Sequence, residues 1–199
     1  MNELDTVNMM LRLIGSSPVN SLVSKHPDMV NAKTTLNRIR AANQQTGWWF
    51  NTEYDVTMTL DERSNIVVDN NVHVIIPYDN SIVQRGNRMY NVVTNTYTFS
   101  NNIVVRKIIR VLEWLELPTS MQMYCAYNAA SQFIRDELED PSKEKQLQLE
   151  AARAFVEVQK QHLNIRQLNV FDRPRVRRAR GGVRPYGQTT RLFSGSPDV

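Results

Sequence analysis

The side chains of this 199-residue chain best suited to catalysis or metal binding are three histidines, one cysteine and a cluster of carboxylates. The histidines, His26, His73 and His162, fall in three different predicted elements, and none has the partner four residues away that a helical zinc pair requires. With Cys125 as the single cysteine, an internal disulfide and a cysteine-rich zinc site are both excluded. We therefore expect ordinary surface or hydrogen-bonding histidines and a thiol packed in the core.

The carboxylate cluster is expected to be a solvated surface feature. Adjacent acids can bind a metal or form an acid–base pair, but these fall at a predicted helix junction beside two lysines. The acids of the cluster are Asp136, Glu137, Glu139 and Asp140. The chain also has no G-x-S-x-G elbow, no Walker loop and no G-x-G-x-x-G motif. We predict no catalytic residue, no metal ligand and no cofactor, and hence a protein that is not an enzyme.

The strongest charge feature is an arginine-rich C-terminal arm. The whole chain carries a net charge of +4, but residues 166–199 hold eight arginines and two aspartates, or +6, which leaves −2 on residues 1–165. Too few apolar groups are present in this arm to offset the entropy of ordering it, so we expect it to be extended. Arginine favours bidentate contacts with carboxylates or phosphates, so the arm predicts an acidic protein surface or a nucleic acid as its partner. Its predicted partner-binding residues are Arg173, Arg175, Arg177, Arg178, Arg180, Arg184 and Arg191.

Hydrophobic periodicity predicts two helices, a series of strands and two more helices. Apolar spacings of three and four indicate helices before Gly15, from Pro27 to Gly47, across 119–138 and after Asp140. From Trp48 the period changes to two, which is typical of a half-buried antiparallel strand. Short β-rich runs separated by turn residues continue from there.

The predicted fold class is α+β. We expect a helical bundle of about four helices, made of residues 1–47 and 113–165, with an inserted antiparallel β module at 48–112 and an extended basic C-terminal arm at 166–199. No apolar run approaches the roughly 20 residues that cross a bilayer, and the N-terminus does not resemble a signal peptide. We therefore expect a soluble protein that is not secreted by a standard route.

Four apolar side chains are candidates for contact with a neighbouring subunit. The helix predicted at 119–138 is apolar on two sides, as expected of a helix that is central in a bundle or shared between subunits. The aromatic run at 48–50 could stack on bases, but anchoring in the core is the stronger interpretation for the two residues on the apolar strand face. The interface candidates are Trp49, Met123, Tyr127 and Ile134.

Several short motifs resemble the tail tubular A family of T7-like short-tailed bacteriophages. The segment IGSSPVNSL at 14–22 is similar to the family's IGxxPVxSL element, and TGWWFN at 46–51 is similar to its GWxFN strand, which follows a helix. The segments at 108–110, 117–118 and 126–133 resemble the strand, proline and AxxxF helix that follow in that family. The order and spacing of these motifs agree across residues 4–138, whereas the arm has no counterpart.

The resemblance implies a structural protein of the virion tail, assembled in the host cytoplasm, with no enzymatic activity and no membrane contact. It implies a head-to-tail adaptor that forms a twelve-fold homo-oligomeric ring between the portal protein and the tail nozzle, tail tubular protein B. DNA would pass through the lumen without sequence-specific binding, and the arm would latch onto an acidic strip of a ring neighbour or of the portal. The alternative is a nucleic-acid-binding protein with a globular body and an Arg-rich arm, whose affinity would fall steeply with salt.

Overall fold

The elements of the protein follow the order expected from its periodicity. The structure, a computed structural model, describes residues 1–23 and 25–171, with side chains through residue 165. In chain order the elements are α1 (Glu3–Leu13), α2 (Pro27–Gln44), β1 (Thr52–Met58), β2 (Val72–Pro77), β3 (Ile82–Arg85), β4 (Arg88–Asn91), β5 (Ile103–Arg110), a 3₁₀ turn (Trp114–Glu116), α3 (Thr119–Glu137) and α4 (Pro141–Phe171). The predicted α+β class is confirmed. The division into two-part helical domain, β module and arm stays a prediction.

Contacts divide the chain into two compact units, Met1–His162 and Leu163–Val199. The first unit holds α1, α2, all five strands described, α3 and most of α4. In the second unit, α4 continues to Phe171, beyond the helix end expected at residue 165. The predicted arginine segment, 173–191, lies outside the described residues.

Helix α3 is the centre of the helical core. One of its stripes is completely enclosed, with Met121, Cys125, Ala129 and Phe133 each at most 1% exposed. The helix contacts α1 and α2 on one side, and on another side its Tyr124 ring lies 5.0 Å from the Phe155 ring of α4. A helix that packs on two sides is what its two apolar stripes predict.

Local sequence signals define the helix ends. Gly15 has a φ of +77° and follows Ile14, the C-cap of α1, and Pro27 occupies the first turn of α2. Asp140 caps α4, since its carboxylate accepts the backbone N–H groups of Ser142 and Lys143 at 3.1 and 3.2 Å. The bond to the N–H of Lys143 is the main reason that the pKa of Asp140 lies below its ordinary value. The predicted starts of α2 and α4 are confirmed.

The strands form two antiparallel groups. The larger sheet has the order β1-β5-β2, so β5 is hydrogen-bonded on both sides, and β3 pairs with β4 in a hairpin. A second hydrophobic cluster supports these strands, and its fully enclosed members include Ile66 and Met89. The β-rich runs predicted between residues 66 and 112 therefore correspond to strands or to isolated bridges.

The strand predicted from Trp48 begins later, at Thr52. Residues 48–51 form a turn instead, in which the backbone N–H of Asn51 donates to the carbonyl of Trp48 at 3.3 Å. The alternating aromatic pattern was therefore a wrong indication of strand there, because tertiary hydrogen bonds to Asn51 hold the turn. Trp48 is nevertheless buried in the helical core, as predicted.

Candidate assembly surfaces

Two buried amides join the helices to the sheet. Asn51 accepts the N–H of Trp48 at 2.7 Å and donates to the carbonyls of Gln44 and Arg110 at 3.0 and 2.7 Å. The Gln44 side chain accepts the N–H of Leu112 at 2.8 Å and donates to its carbonyl at 3.1 Å. We call Gln44 and Asn51 the polar clasp. The clasp links the segment that leads from α2 into β1 with the segment that leads from β5 towards α3. It therefore fixes the orientation of the sheet relative to the helices.

Gly47 allows the chain to pass closely over β5. Its φ is +79°, a left-handed conformation that costs other residues energy. A Cβ built at this position would lie 2.8 Å from Cδ1 of Ile109 and 2.9 Å from Nζ of Lys107. The backbone conformation therefore favours glycine, and any larger residue would also displace the ends of the Ile109 and Lys107 side chains.

Arg110 adds a charged network next to the clasp. Its guanidinium donates to Glu53 of β1 at 2.8 Å, and to Asp69 and Asn71 in the turn before β2 at 3.0 Å each. The hydrogen bond to Glu53 foremost, and then the one to Asp69, raise the pKa of Arg110 above its ordinary value. The network links both edge strands of the larger sheet through the central strand.

Two of the predicted interface residues meet in a groove between α3 and α4. Met123, which is 40% exposed, and the half-buried Tyr127 come from α3, and Ala154 of α4 lies opposite them. The groove encloses about 260 Å³ and is otherwise lined by Ser120, Glu150, Arg153 and Glu157. An apolar floor with a charged rim is typical of the centre and edge of a protein contact.

The other two candidates are differently placed. Ile134 is completely buried, although it lies near the end of α3. It belongs to the core of the single chain, and its contact with another subunit stays a prediction. Trp49 is half-buried, with its ring 5.0 Å from that of Phe50 and 6.0 Å from that of His162. A contact of Trp49 with another subunit stays a prediction.

The side chains that could act in catalysis or metal binding make structural contacts or lie exposed at the surface. The sequence suggested that His162 lies on a solvated helix face. In the structure its ring packs edge-on to the ring of Trp48, with 5.4 Å between the ring centres. Of the acidic cluster, Asp136, Glu137 and Glu139 are exposed, and Asp136 lies 3.7 Å from Arg38. In the part of the chain that the structure describes, no three acids, histidines or thiols come close enough to hold a metal ion.

The Cys125 thiol is enclosed in the core and accepts a long hydrogen bond from the Asn43 amide at 3.5 Å. Burial raises its pKa from 9.0 to about 11. A thiol is a nucleophile only as its thiolate, so Cys125 is inert at neutral pH.

We expect Cys125 to resist alkylation in the native protein at pH 8 and to react fully in guanidinium chloride. Because the unfolded thiol ionises at 9.0 and the folded one at about 11, stability should fall as the pH rises between these values. Labelling kinetics, followed by intact mass, would check the expected resistance to alkylation. Rapid labelling of the folded protein would show that the thiol is accessible.

The larger sheet presents an exposed polar and aromatic cluster that the sequence did not indicate. The hydroxyl of Tyr78, after β2, donates to the Asp55 carboxylate of β1, and the Arg106 guanidinium of β5 lies 5.4 Å from the Tyr78 ring centre. Like the clasp, this cluster depends on strand pairing between distant segments. For the clasp, the sequence placed Asn51 within a predicted strand and Gln44 near the end of a predicted helix, and neither position indicates a buried hydrogen-bond network.

None of the helices in residues 1–23 and 25–171 is apolar over a stretch long enough to cross a bilayer.

Comparison with known proteins agrees with the motif resemblance. A family model described as Tail tubular protein matches residues 4–175. The Tail tubular protein A of Klebsiella phage KP34 is 28% identical over 185 residues, which are 90% of this chain and 98% of that protein. The family match includes the α1–α2 loop, the clasp, the sheet and α3, where the motifs lie. The chain therefore belongs to the tail tubular protein family, whose members are structural components of the bacteriophage virion tail.

Proposed function

We propose that this protein is a head-to-tail adaptor, which forms a twelve-fold ring between the portal and the tail nozzle and lets DNA pass through its lumen. The observation that carries the proposal is the family match across residues 4–175, which spans helices and sheet alike. The likeness to a Tail tubular protein A along nearly the whole of both chains supports it.

The polar clasp is well suited to this role. A ring subunit has to contact its neighbours on two different faces and a further component of the tail on a third. In our proposal the helices build the ring and the β module reaches the adjoining tail component. Because Gln44 and Asn51 fix the sheet relative to the helices, one set of ring contacts would place every β module identically.

We infer a structural rather than a catalytic role. In the α3–α4 groove the Ser120 hydroxyl donates to Gln161 at 2.8 Å, and no histidine lines this groove among the described residues. A serine nucleophile needs a base within hydrogen-bonding reach, and here its partner is an amide. The groove is therefore better suited to contact than to hydrolysis.

The arm is proposed to latch onto an acidic surface of a ring neighbour or of the portal. Its seven arginines between 173 and 191 are accompanied by no acid, so the segment carries a charge that a partner has to balance. A lumen lined by these cations would retain the exiting DNA, so we place the arms against protein.

The proposal is tested by mixing the purified full-length chain with the portal protein of the same phage and imaging the products by negative stain. We expect closed rings stacked coaxially on the portal. Portal particles that carry no additional ring at micromolar concentrations of the chain would contradict the adaptor role.

A further inference from the structure

The β3–β4 hairpin carries two arginines that meet no acid in the described part of the chain. Arg85 and Arg88 flank its two-residue turn, and the strand register places them directly opposite each other. Both side chains are exposed, and among the described residues neither guanidinium forms an ion pair or donates a hydrogen bond. Arg110 of the same β module, by contrast, meets the carboxylates of Glu53 and Asp69.

Two tyrosines hold these guanidiniums at the surface. The Arg85 guanidinium lies 3.7 Å from the centre of the Tyr90 ring, and that of Arg88 lies 4.8 Å from the centre of the Tyr97 ring. The two rings pack edge to face, with 4.8 Å between their centres. Tyr90 is itself buried, and its hydroxyl donates to the Asn95 side chain at 3.2 Å. Because the arginines already rest on fixed rings, they lose less side-chain entropy when they bind a partner.

The position of the two charges points to an anion supplied by another molecule. Like charges directly opposite each other on neighbouring strands repel, and such a pair destabilises a hairpin. The tyrosine rings attract each cation but do not neutralise it. Two carboxylates from a partner would remove the repulsion and accept the planar N–H groups of both guanidiniums. The hairpin is therefore preorganised for two neighbouring anionic groups.

An exposed apolar side chain extends the row of arginines. An isolated antiparallel bridge places Val67 directly opposite Arg88, on the edge of β4 that faces away from β3. Because residues directly opposite each other share a face, Val67, which is 50% exposed, lies beside the arginines. Arginine and tyrosine are enriched at the centres of protein contacts. We call Val67, Arg85, Arg88 and Tyr97 the hairpin patch.

The charge of the surrounding module favours a protein over a nucleic acid as the partner. Non-specific binding to duplex DNA depends on many cations that neutralise phosphates along its backbone. Residues 48–112 hold six basic and six acidic side chains, so the β module as a whole is neutral. Two arginines beside tyrosine and valine match a local pair of carboxylates better than they match a phosphate backbone.

We propose that the hairpin patch binds an acidic surface of the adjoining tail component, with one carboxylate on each of Arg85 and Arg88. This contact rests on the proposed adaptor role, in which the β module reaches that component, and it identifies the surface that does so. Val67 and the exposed part of Tyr97 are covered in the same contact. Their burial excludes water from the two ion pairs and thereby strengthens them.

The test uses complexes of the full-length chain with the portal protein, to which the tail nozzle protein of the same phage is added. We expect Arg85→Ser/Arg88→Ser to weaken binding of the nozzle protein about tenfold or more, because both charge-assisted contacts are lost. The matched control is Arg12→Ser/Arg38→Ser, which removes the same charge from exposed positions on α1 and α2. Surface plasmon resonance measures binding, and circular dichroism checks that all chains keep their fold.

Binding of duplex DNA to the same chains separates the two kinds of partner, and we expect it to be equal for wild type and the hairpin variant. A selective loss of DNA binding in that variant would assign the patch to nucleic acid and overturn the proposal. Nozzle binding as strong as that of wild type, or a loss no greater than that of the control, would also overturn this contact while the ring itself stands. Wild-type complexes with the portal that bind no nozzle protein would contradict the adaptor role as well.

Discussion

Replacement of Asn51 by alanine is expected to lower the free energy of unfolding by about 3–5 kcal/mol, because it removes three hydrogen bonds from backbone groups in a buried site. These are the N–H of Trp48 and the carbonyls of Gln44 and Arg110, all within 3.0 Å of the Asn51 amide. Alanine can replace none of these bonds, and the site is too enclosed for bulk water to do so easily. Urea denaturation at neutral pH, followed by circular dichroism, measures the change.

The matched control is Asn102→Ala, which removes a single exposed bond to the N–H of Leu60 at 3.0 Å. We expect it to cost less than about 1 kcal/mol. If the Asn51 and Asn102 variants lost similar, small amounts of stability, the clasp would not be the element that joins helices and sheet.

Substitution of serine for Arg175, Arg177, Arg178 and Arg180 is expected to weaken docking to the portal by about tenfold or more. Even exposed ion pairs contribute about 0.2–1 kcal/mol each, and bidentate contacts contribute more. Salt should weaken wild-type docking steeply and docking of the variant less so, because screening acts on the charges that the variant lacks. Surface plasmon resonance at several salt concentrations measures both effects.

The matching lysine variant separates charge from geometry. Lysine keeps the positive charge but lacks the planar fork, so we expect intermediate docking. Unchanged docking of the serine variant would contradict the latch. Loss of duplex DNA binding with docking intact would instead favour the alternative, a nucleic-acid-binding protein with an Arg-rich arm.

The helices were predictable because their signals are local. The stripe of α2, the glycine after α1 and the Asp140 cap each depend on residues within a few positions, and the structure has them where the sequence indicates. Cys125 was expected in the core for the same reason, since it lies on an apolar stripe of α3.

The surfaces were less predictable because they depend on contacts between distant segments. The turn at 48–51 is held by groups from α2 and β5, so the alternating pattern there indicated a strand that does not form. Ile134 shares a stripe with Met123, but only the tertiary structure decides which of them is enclosed.

The mass of the assembled protein tests the central claim most directly. Native mass spectrometry of the purified full-length chain, alone and with the portal, reports the number of copies. We expect a closed assembly of twelve 23.0-kDa chains, about 276 kDa, as the largest species built from this chain. A persistent 23.0-kDa monomer under both conditions would contradict the proposal that this tail tubular protein forms the adaptor ring.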